Sequence, residues 1–423
     1  MKNKTSTTSH KAVRPPDDQT TGVAGQGCPV GLRGSSALCC GEAPPSQHVP
    51  PVVSVVFPTF ERRNDIVLTL ERLRSGLRIP YEVVILDNSP VPSAADHLFA
   101  ANEQYVFLGK NMGTTARNLG VSKATAPYIL MLDDDSHPLT GAVERAVEYL
   151  ALQPKEVAGL GARIERTDGG REGPPLLPTA FHGCGALFRR DALLSCGDVY
   201  PGEFGFYAEE YWVTFLLYSN GFRLAYADEF RVCHRLSSAG RSKKKILFHL
   251  TRNNDCVWQA FTPNRYLEDA LYDTNRRYEL IAHHEGVPEA FIEGRTCLLP
   301  PPFRKPMDED SFRQVSLLSS FDKLLAGTAP RDKMILCGVG KFPSMWAKHL
   351  TAKGIKNVAL TDFNKALWGN EFERFTVIDS HNALALMAAG FLPVVGHSSR
   401  TDADAWRTLM ASKGVPFHDL ALG

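Results

Sequence analysis

The chain has 423 residues, enough for two to three domains with cores of ordinary size, so a single fold unit is not expected to account for it. Its 47 Lys and Arg nearly cancel its 46 Asp and Glu, and with 43% hydrophobic and 22% charged residues it has the balance of a soluble globular protein, so no nucleic-acid partner is expected. Nine scattered cysteines without a CxxC pair or a Cys/His cluster at metal spacing, no hydrophobic signal core and no apolar run near the length of about 18 residues that crosses a bilayer argue against a disulfide framework and a transmembrane segment. They predict a cytoplasmic protein, with peripheral membrane contact left open.

Residues 1–50 are rich in Ser, Thr, Gly, Pro and Gln with no apolar period, the composition of a disordered tail, and carry no assigned function. From Val52, "VVSVVF" reads as a strand stopped by Pro58, and Ile66, Leu70, Leu73 and Leu77 have helical spacing. "YEVVILD" is a second strand ending at Asp87. "YVFLG", a turn bearing Asn111, a helix from Ala116 to Lys123 and the strand "YILML" follow. Strand and helix alternate, which predicts a mostly parallel sheet. Ligands of such a sheet bind outside the carboxyl ends of its strands, where Asp87, Asn111 and the run Asp133, Asp134, Asp135 all fall.

That run raises a charge problem. At about 4 Å and an effective dielectric near 20, each like-charge pair costs roughly 4 kcal/mol, so protons or a cation must compensate. A divalent ion of the Mg²⁺ or Mn²⁺ type suits carboxylate oxygens and substrate phosphates. Alternation along an extended chain would put Asp133 and Asp135 on one side and Asp134 on the other. The alternative is a solvated acidic turn, or an N-cap at Asp135-Ser136 for a helix beginning near Thr140.

Farther on, "HGCGALFRRDAL" reads as a strand entering a helix. "AEEYWVTFLLYSNG" is a helix with Glu209 and Glu210 in its first turn and Asn220-Gly221 at its end. Residues 263–327 are helical with a break at Pro300-Pro301-Pro302. "KMILCGVGKFPSMWAKHLTAKGIKNVALTDFN" is then a strand, a glycine turn, a helix and a strand ending at Asp362. Gly338, Gly340 and Asp362 approach the dinucleotide-binding fingerprint, but Pro343 stands at the third glycine position, so a bound nucleotide and a purely structural or regulatory domain both stay open. The expected division is a tail at 1–50, an α/β domain at 51–262, a helical connector at 263–330 and a Rossmann-like α/β domain at 331–423.

The ordered set "VSVVFPTFERR", "VVILDNS" and "NMGTTARNLGVSKATAPYILMLDDDS" resembles the nucleotide-sugar-binding half of the large inverting glycosyltransferase family with the GT-A fold, commonly called family 2. "HGCGALFRRDAL", "FYAEEYWVTFLLYSNGFRLAY", "VCH" and "TRNN" are similar to its acceptor half, so the resemblance covers about half the chain. It implies an α/β chain: a GT-A domain with a Rossmann-like, mostly parallel sheet, followed here by a helical connector and a smaller C-terminal Rossmann-like domain. Carried over by residue, it places Pro58, Thr59 and Phe60 around the base and ribose of a nucleotide-diphosphate sugar donor, and Asp87 on the base. It sets Asn111 and Arg117 near the nucleotide. Asp133 and Asp135 match the DxD motif, with Asp135 the direct ligand of Mn²⁺ or Mg²⁺, Asp134 on the ribose and His234 completing the metal or diphosphate site. Glu210 is the expected base, with Glu209 beside it. Arg252-Asn253 match a pair without an assigned role.

Departures are Glu61, Asn88 and Trp212, the last suggesting a changed acceptor pocket, with acceptor choice assigned to its surroundings and to residues 167–178. The QxxRW motif of processive synthases is absent, which favours single transfer to a hydroxyl or amine of a glycan, a lipid-linked or a small-molecule acceptor. Plainer readings stand beside these: Asp87 as a turn cap, Glu209 and Glu210 as an ordinary acidic first turn, His234 and Arg117 as structural or surface residues, and the run Ser242 to Lys245 as a solvated face or a basic loop closing on a diphosphate. The competing functions are a non-catalytic nucleotide-sugar-binding protein that senses through its C-terminal domain, and a fused oxidoreductase, which lacks a Tyr-x-x-x-Lys pair.

Overall fold

The computed structural model describes residues 49–172, 177–236, 242–327, 332–396 and 399–420. The expected disordered tail lies outside the described residues except at its last two positions, as does part of the segment 167–178.

The first half alternates as the hydrophobic runs dictate: β1 (Val53–Thr59), α1 (Arg63–Gly76), β2 (Tyr81–Asp87), β3 (Glu103–Phe107), α2 (Ala116–Lys123) and β4 (Tyr128–Leu132). β1 lies between β2 and β4, parallel to both, and Val53, Val55, Val56 and Phe57 are all buried, the continuous apolar pattern of a strand covered on both faces. Beyond β4 the alternative of a helix capped by Asp135-Ser136 does not hold. The chain turns at the acidic run and enters a short strand, β5 (Ser136–Pro138), and α3 (Ala142–Leu152) begins only after Gly141 at φ +75°.

There follow β6 (Val157–Arg166), β7 (Gly185–Arg189), α4 (Arg190–Ser195), α5 (Glu209–Ser219) and β8 (Arg223–His234). One mixed sheet results, in the order β3-β2-β1-β4-β7-β6-β8-β5. β7 runs antiparallel to both β4 and β6, and β8 runs parallel to β6. β5 pairs antiparallel with β8 so that Ser136 faces His234, and this register carries the histidine to the acidic turn.

Helices α6 (Lys243–Phe261), α7 (Asn264–His284), α8 (Pro288–Thr296), α9 (Glu309–Val315) and α10 (Leu318–Gly327) come next, with the predicted proline break between α8 and α9. A second, six-stranded sheet is built from β9 (Lys333–Cys337), α11 (Pro343–Ala352), β10 (Asn357–Thr361), β11 (Glu371–Phe372), β12 (Phe375–Ile378), α12 (Ser380–Ala388), β13 (Leu392–Val395), α13 (Arg400–Ser412) and β14 (His418–Asp419). Its order is β11-β12-β10-β9-β13-β14, parallel except for the β11-β12 pair. None of the described helices is long and apolar enough to cross a membrane.

The glycine turn after β9 is closed from the α7 side. Asp273 accepts from the backbone N–H groups of Ser344 and Met345, at 3.1 Å each, and so fills the start of α11 where a dinucleotide's phosphates would sit. Asp362, the other fingerprint residue, accepts from Val339 N at 2.8 Å and Asn364 N at 2.7 Å. A carboxylate already occupies the anion site, which disfavours the nucleotide reading of this sheet.

Lys341, from the same turn, is fully buried. Its Nζ donates to Tyr278 Oη at 2.6 Å and Asn254 Oδ1 at 2.9 Å and lies 4.3 Å from the Tyr211 ring centre. Burial, helped by Arg277, holds its pKa well below the usual lysine value of 10.5, against a smaller opposing pull from Glu210. A depressed folded-state pKa gives stability that is present above the unfolded pKa and lost as pH falls through the folded one. Lys341→Met is therefore expected to flatten the rise of melting temperature as pH climbs from neutral toward 10.5, measured by parallel thermal melts of variant and wild type.

Candidate active site

The carboxyl ends of β1, β2 and β4 form the floor, with Thr59 and Asp87 paired in register. Thr59 Oγ1 donates to Asp134 Oδ2 at 2.7 Å, and Thr69 Oγ1 to the Asp134 carbonyl at 2.6 Å. Arg62, at the entrance to α1, divides its guanidinium between Asp134 Oδ1 at 2.7 Å and Asp135 Oδ2 at 2.8 Å. The alternation expected of an extended chain is thus replaced by a turn in which Asp134 and Asp135 share one cation and Asp133 faces elsewhere. Asp135 Oδ1 meets His234 Nε2 at 3.1 Å, and His234 Nδ1 meets Glu172. Burial pushes the Asp134 carboxyl up to about 7 despite Arg62. Burial acts on Asp135 in the same direction, but His234 and Arg62 outweigh it and hold that carboxyl well below its usual range.

Asp133 is the most open of the three, its side chain 38% exposed, and pairs with Arg117 at 2.5 Å. Arg117 is buried on α2, not on a surface, and also donates to the Gly183 carbonyl at 3.1 Å. Asp133, Cys184 and His234 each bring one ligand atom within 4.8 Å of the others. This oxygen, sulfur and nitrogen set fits a divalent ion such as Mn²⁺, with the thiolate making it softer than carboxylates alone. Asp135 stands behind the group, bound to its histidine. Burial pushes the Cys184 thiol up to about 12, so its ligation requires loss of that proton.

Glu209 and Glu210 open α5 through two consecutive non-glycine residues in the left-handed region, Tyr207 and Ala208, both at φ +68°. Such conformations cost of order 1–3 kcal/mol each and persist only where the surroundings impose them. Asn253 imposes this one, its Nδ2 reaching the carbonyls of Phe204 at 3.2 Å, Phe206 at 2.9 Å and Tyr207 at 2.8 Å. Arg252 holds the carbonyls of Glu203 and Phe204 at 3.1 and 2.9 Å. The pair without an assigned role is thus a staple on the loop that presents the glutamates. Asn253→Ala should cost about 1–3 kcal/mol in urea unfolding, since it strands buried carbonyls, and should lower turnover with it.

Glu210 is partly exposed, and its Oε1 accepts from Gly183 N at 3.4 Å. Glu209 is buried, and its Oε2 has no hydrogen-bond partner among the described residues. Burial raises both pKa values, with the neighbouring Glu210 adding to the effect on Glu209 and Asp133 to that on Glu210. Arg117 opposes both.

Other sequence-selected residues fall outside this cluster. Asp87 is buried and already satisfied by Ser89 N at 3.0 Å, Ser93 N at 2.7 Å, the Ser89 hydroxyl and Tyr105. Phe60 is exposed at the rim beside the half-buried Pro58, and Asn111 is exposed, turning its Oδ1 back to Gly113 N at 2.9 Å. Trp212, taken as a sign of a changed acceptor pocket, is 1% exposed and packs against Phe204, Phe261 and Phe303 in the core. Lys243 to Lys245 form the exposed first turn of α6, capped by Ser242, with Lys243 paired to Glu285 and Lys244 to Glu293. Arg62, Glu172 and Cys184 were not selected from the sequence, although Arg62 lies in "FERR" and Cys184 in "HGCGALFRRDAL": Cys184 is carried beside Asp133 by the pairing of Leu132 with Gly185, and Glu172 is reached through His234.

Residues 54–206 match the family described as glycosyl transferase family 2. Among solved structures the chain resembles GalNAc-T7 with UDP, GalNAc and Mn²⁺ at 14% identity and TM-score 0.42, over 57% of this chain and 54% of that one. It also resembles the mannosyltransferase PcManGT of Pyrobaculum calidifontis with GDP-Man and Mn²⁺, at 15% identity and TM-score 0.40, over 73% and 88% of the two chains. For TarS 1–349 of S. aureus with UDP-GlcNAc the values are 15%, 0.44, 64% and 83%. The match spans just over half the length of GalNAc-T7. No curated protein matches the sequence.

Proposed function

We propose that this chain, whose residues 54–206 match the glycosyl transferase family 2 model, moves one sugar from a nucleotide-diphosphate donor to a hydroxyl or amine acceptor with inversion. The observation that supports the reading is the convergence of Asp133, Arg117 and Glu210 on the loop at Gly183 and Cys184, where a countercharge for a diphosphate and a carboxylate base would share one crevice.

In this reading Glu210 takes the proton from the acceptor group as the acceptor atom attacks the anomeric carbon. The electron pair of the glycosidic bond leaves with the nucleoside diphosphate. General-base help of this kind contributes about 10²- to 10⁴-fold. Arg117 holds Asp133 in place and tempers the charge of the two glutamates. Thr59 and Arg62 orient Asp134 toward the ribose side, while Pro58, Phe60, Asp87 and Asn111 border the base. Asp133, Cys184 and His234 would hold Mn²⁺ or Mg²⁺, with Asp135 and Glu172 orienting the imidazole. When bound, the ion supplies positive charge against the departing diphosphate. The cytoplasmic setting is inferred from cysteine usage together with the lack of an apolar run of membrane length.

A thermal-shift panel of nucleoside diphosphates with and without Mn²⁺, followed by donor hydrolysis with the stabilising base, tests this. Stabilisation by one base and release of its sugar are expected. A flat panel and an intact donor would overturn the assignment.

A further inference from the structure

A cavity of about 580 Å³ opens beside Glu210, between the start of α5 and helices α6 and α7, with Asn364 of the second sheet on its border. This is the size range of small-molecule sites. Its walls are mainly aliphatic and aromatic, with Ile246, Leu247, Leu250 and Ile281 from the two helices and Tyr211 and Tyr278 across from them. Its polar lining comprises Glu210, His182, Arg277, Asn364 and the Lys243–Glu285 ion pair. Near Glu210 stands His182, whose Nε2 is buried without a hydrogen-bond partner among the described residues. Arg277, 3% exposed, also lines the cavity. Its guanidinium donates to the Gly340 carbonyl at 3.1 Å, its Nε has no partner, and it forms no ion pair with a carboxylate among the described residues, although Asp402 feels its charge.

A buried guanidinium without an anion is costly, and so is an orphaned imidazole nitrogen. Together they ask for a molecule with complementary ends. We infer that this cavity is the acceptor site and that its acceptor is a small hydroxy acid with an apolar body: the carboxylate meets Arg277, the body lies against the helices, and the hydroxyl reaches Glu210 and His182. A glycan chain would bring many hydroxyls to walls that offer them few partners. The inference rests on the glycosyl-transfer reading. In that reaction the acceptor hydroxyl oxygen bonds to the anomeric carbon, its proton passes to Glu210, and the bond to the diphosphate breaks with its electron pair leaving on the nucleotide.

Titration calorimetry of the full chain with 4-hydroxycinnamate, 8-hydroxyoctanoate, their primary amides and maltotriose tests it without donor present. The acids should bind, the amides at least about tenfold more weakly, a difference of about 1.4 kcal/mol, and maltotriose not measurably. Arg277→Met should abolish the acid-over-amide preference. Leu250→Trp, which fills the cavity, should remove both acid and amide binding while nucleoside diphosphate binding with Mn²⁺ persists. Equal affinity for acid and amide, preference for maltotriose, or no binding by either acid would overturn the inference, and each can be observed on the wild type alone. Because these titrations omit the donor, a failure of nucleotide binding is a separate result that bears on the transfer reading.

Discussion

Replacing Glu210 by Gln is expected to lower sugar transfer by about 10²- to 10⁴-fold while leaving nucleoside diphosphate affinity unchanged. Gln keeps the side chain's size and its acceptor oxygen for Gly183 N, so the loop stays in place and only proton removal is lost. The pH profile separates this from a packing defect. Burial raises the Glu210 pKa above the ordinary glutamate value of 4.5, and the base works only when unprotonated, so kcat/KM of the wild type should rise with pH along a limb displaced upward from 4.5. In Glu210→Gln that limb should vanish from the residual activity. Glu209 provides the control. It is buried, and its pKa is raised well above 4.5, first by burial and then by Glu210. A raised folded-state pKa gives stability that is present below the unfolded value and is lost as pH rises through the folded one. Glu209→Gln, which mimics the protonated acid, should keep most of the turnover and reduce the loss of melting temperature on going from acid to alkaline pH. If instead Glu209→Gln were the inactive variant and Glu210→Gln the competent one, the base would be Glu209.

The strand-helix alternation of the first half was legible because the apolar runs at Val53–Thr59, Tyr81–Asp87 and Tyr128–Leu132 are short and bounded by turn residues. The carboxyl-edge rule then put Asp133 to Asp135 on the right side of the sheet without further information. What the sequence did not show was how the charge of that run is met. Three adjacent carboxylates were read as requiring protons or a cation, and a metal was the simplest answer. In the structure Arg62 binds two of them and Arg117 the third, so the run is compensated by the chain itself. The case for a metal therefore moves from the triplet to the grouping of Asp133 with Cys184 and His234, residues from three separate stretches that the β4-β7 and β5-β8 pairings bring near one another. No spacing rule reaches across such pairings. Trp212 itself was beyond such reasoning too: on a helix buried nearly all round, this large aromatic goes into the core, while its neighbour Tyr211, with Tyr278 and α6, lines the cavity.

The second large effect belongs to that regrouped site. Asp133→Ala is expected to abolish the Mn²⁺-dependent part of nucleotide stabilisation and to lower transfer by roughly 10³-fold, the equivalent of about 4 kcal/mol of charge stabilisation at a leaving diphosphate. Removing Asp133 also frees the buried Arg117 guanidinium, so a fall in melting temperature is expected as well. The two effects are separable. Asp133→Asn keeps a hydrogen-bond acceptor for Arg117 and should restore much of the melting temperature without restoring the Mn²⁺ response. Cys184→Ser carries the finer point. A hydroxyl in place of the thiol removes the soft donor, so the affinity for Mn²⁺, read by calorimetry in the absence of donor, should fall toward that for Mg²⁺. EDTA treatment should silence the wild type reversibly, with Mn²⁺ restoring it more fully than Mg²⁺. Metal-independent transfer that survives both EDTA and Asp133→Ala would assign the diphosphate's countercharge to Arg62 and Arg117 alone, an arrangement the chain is already built to supply.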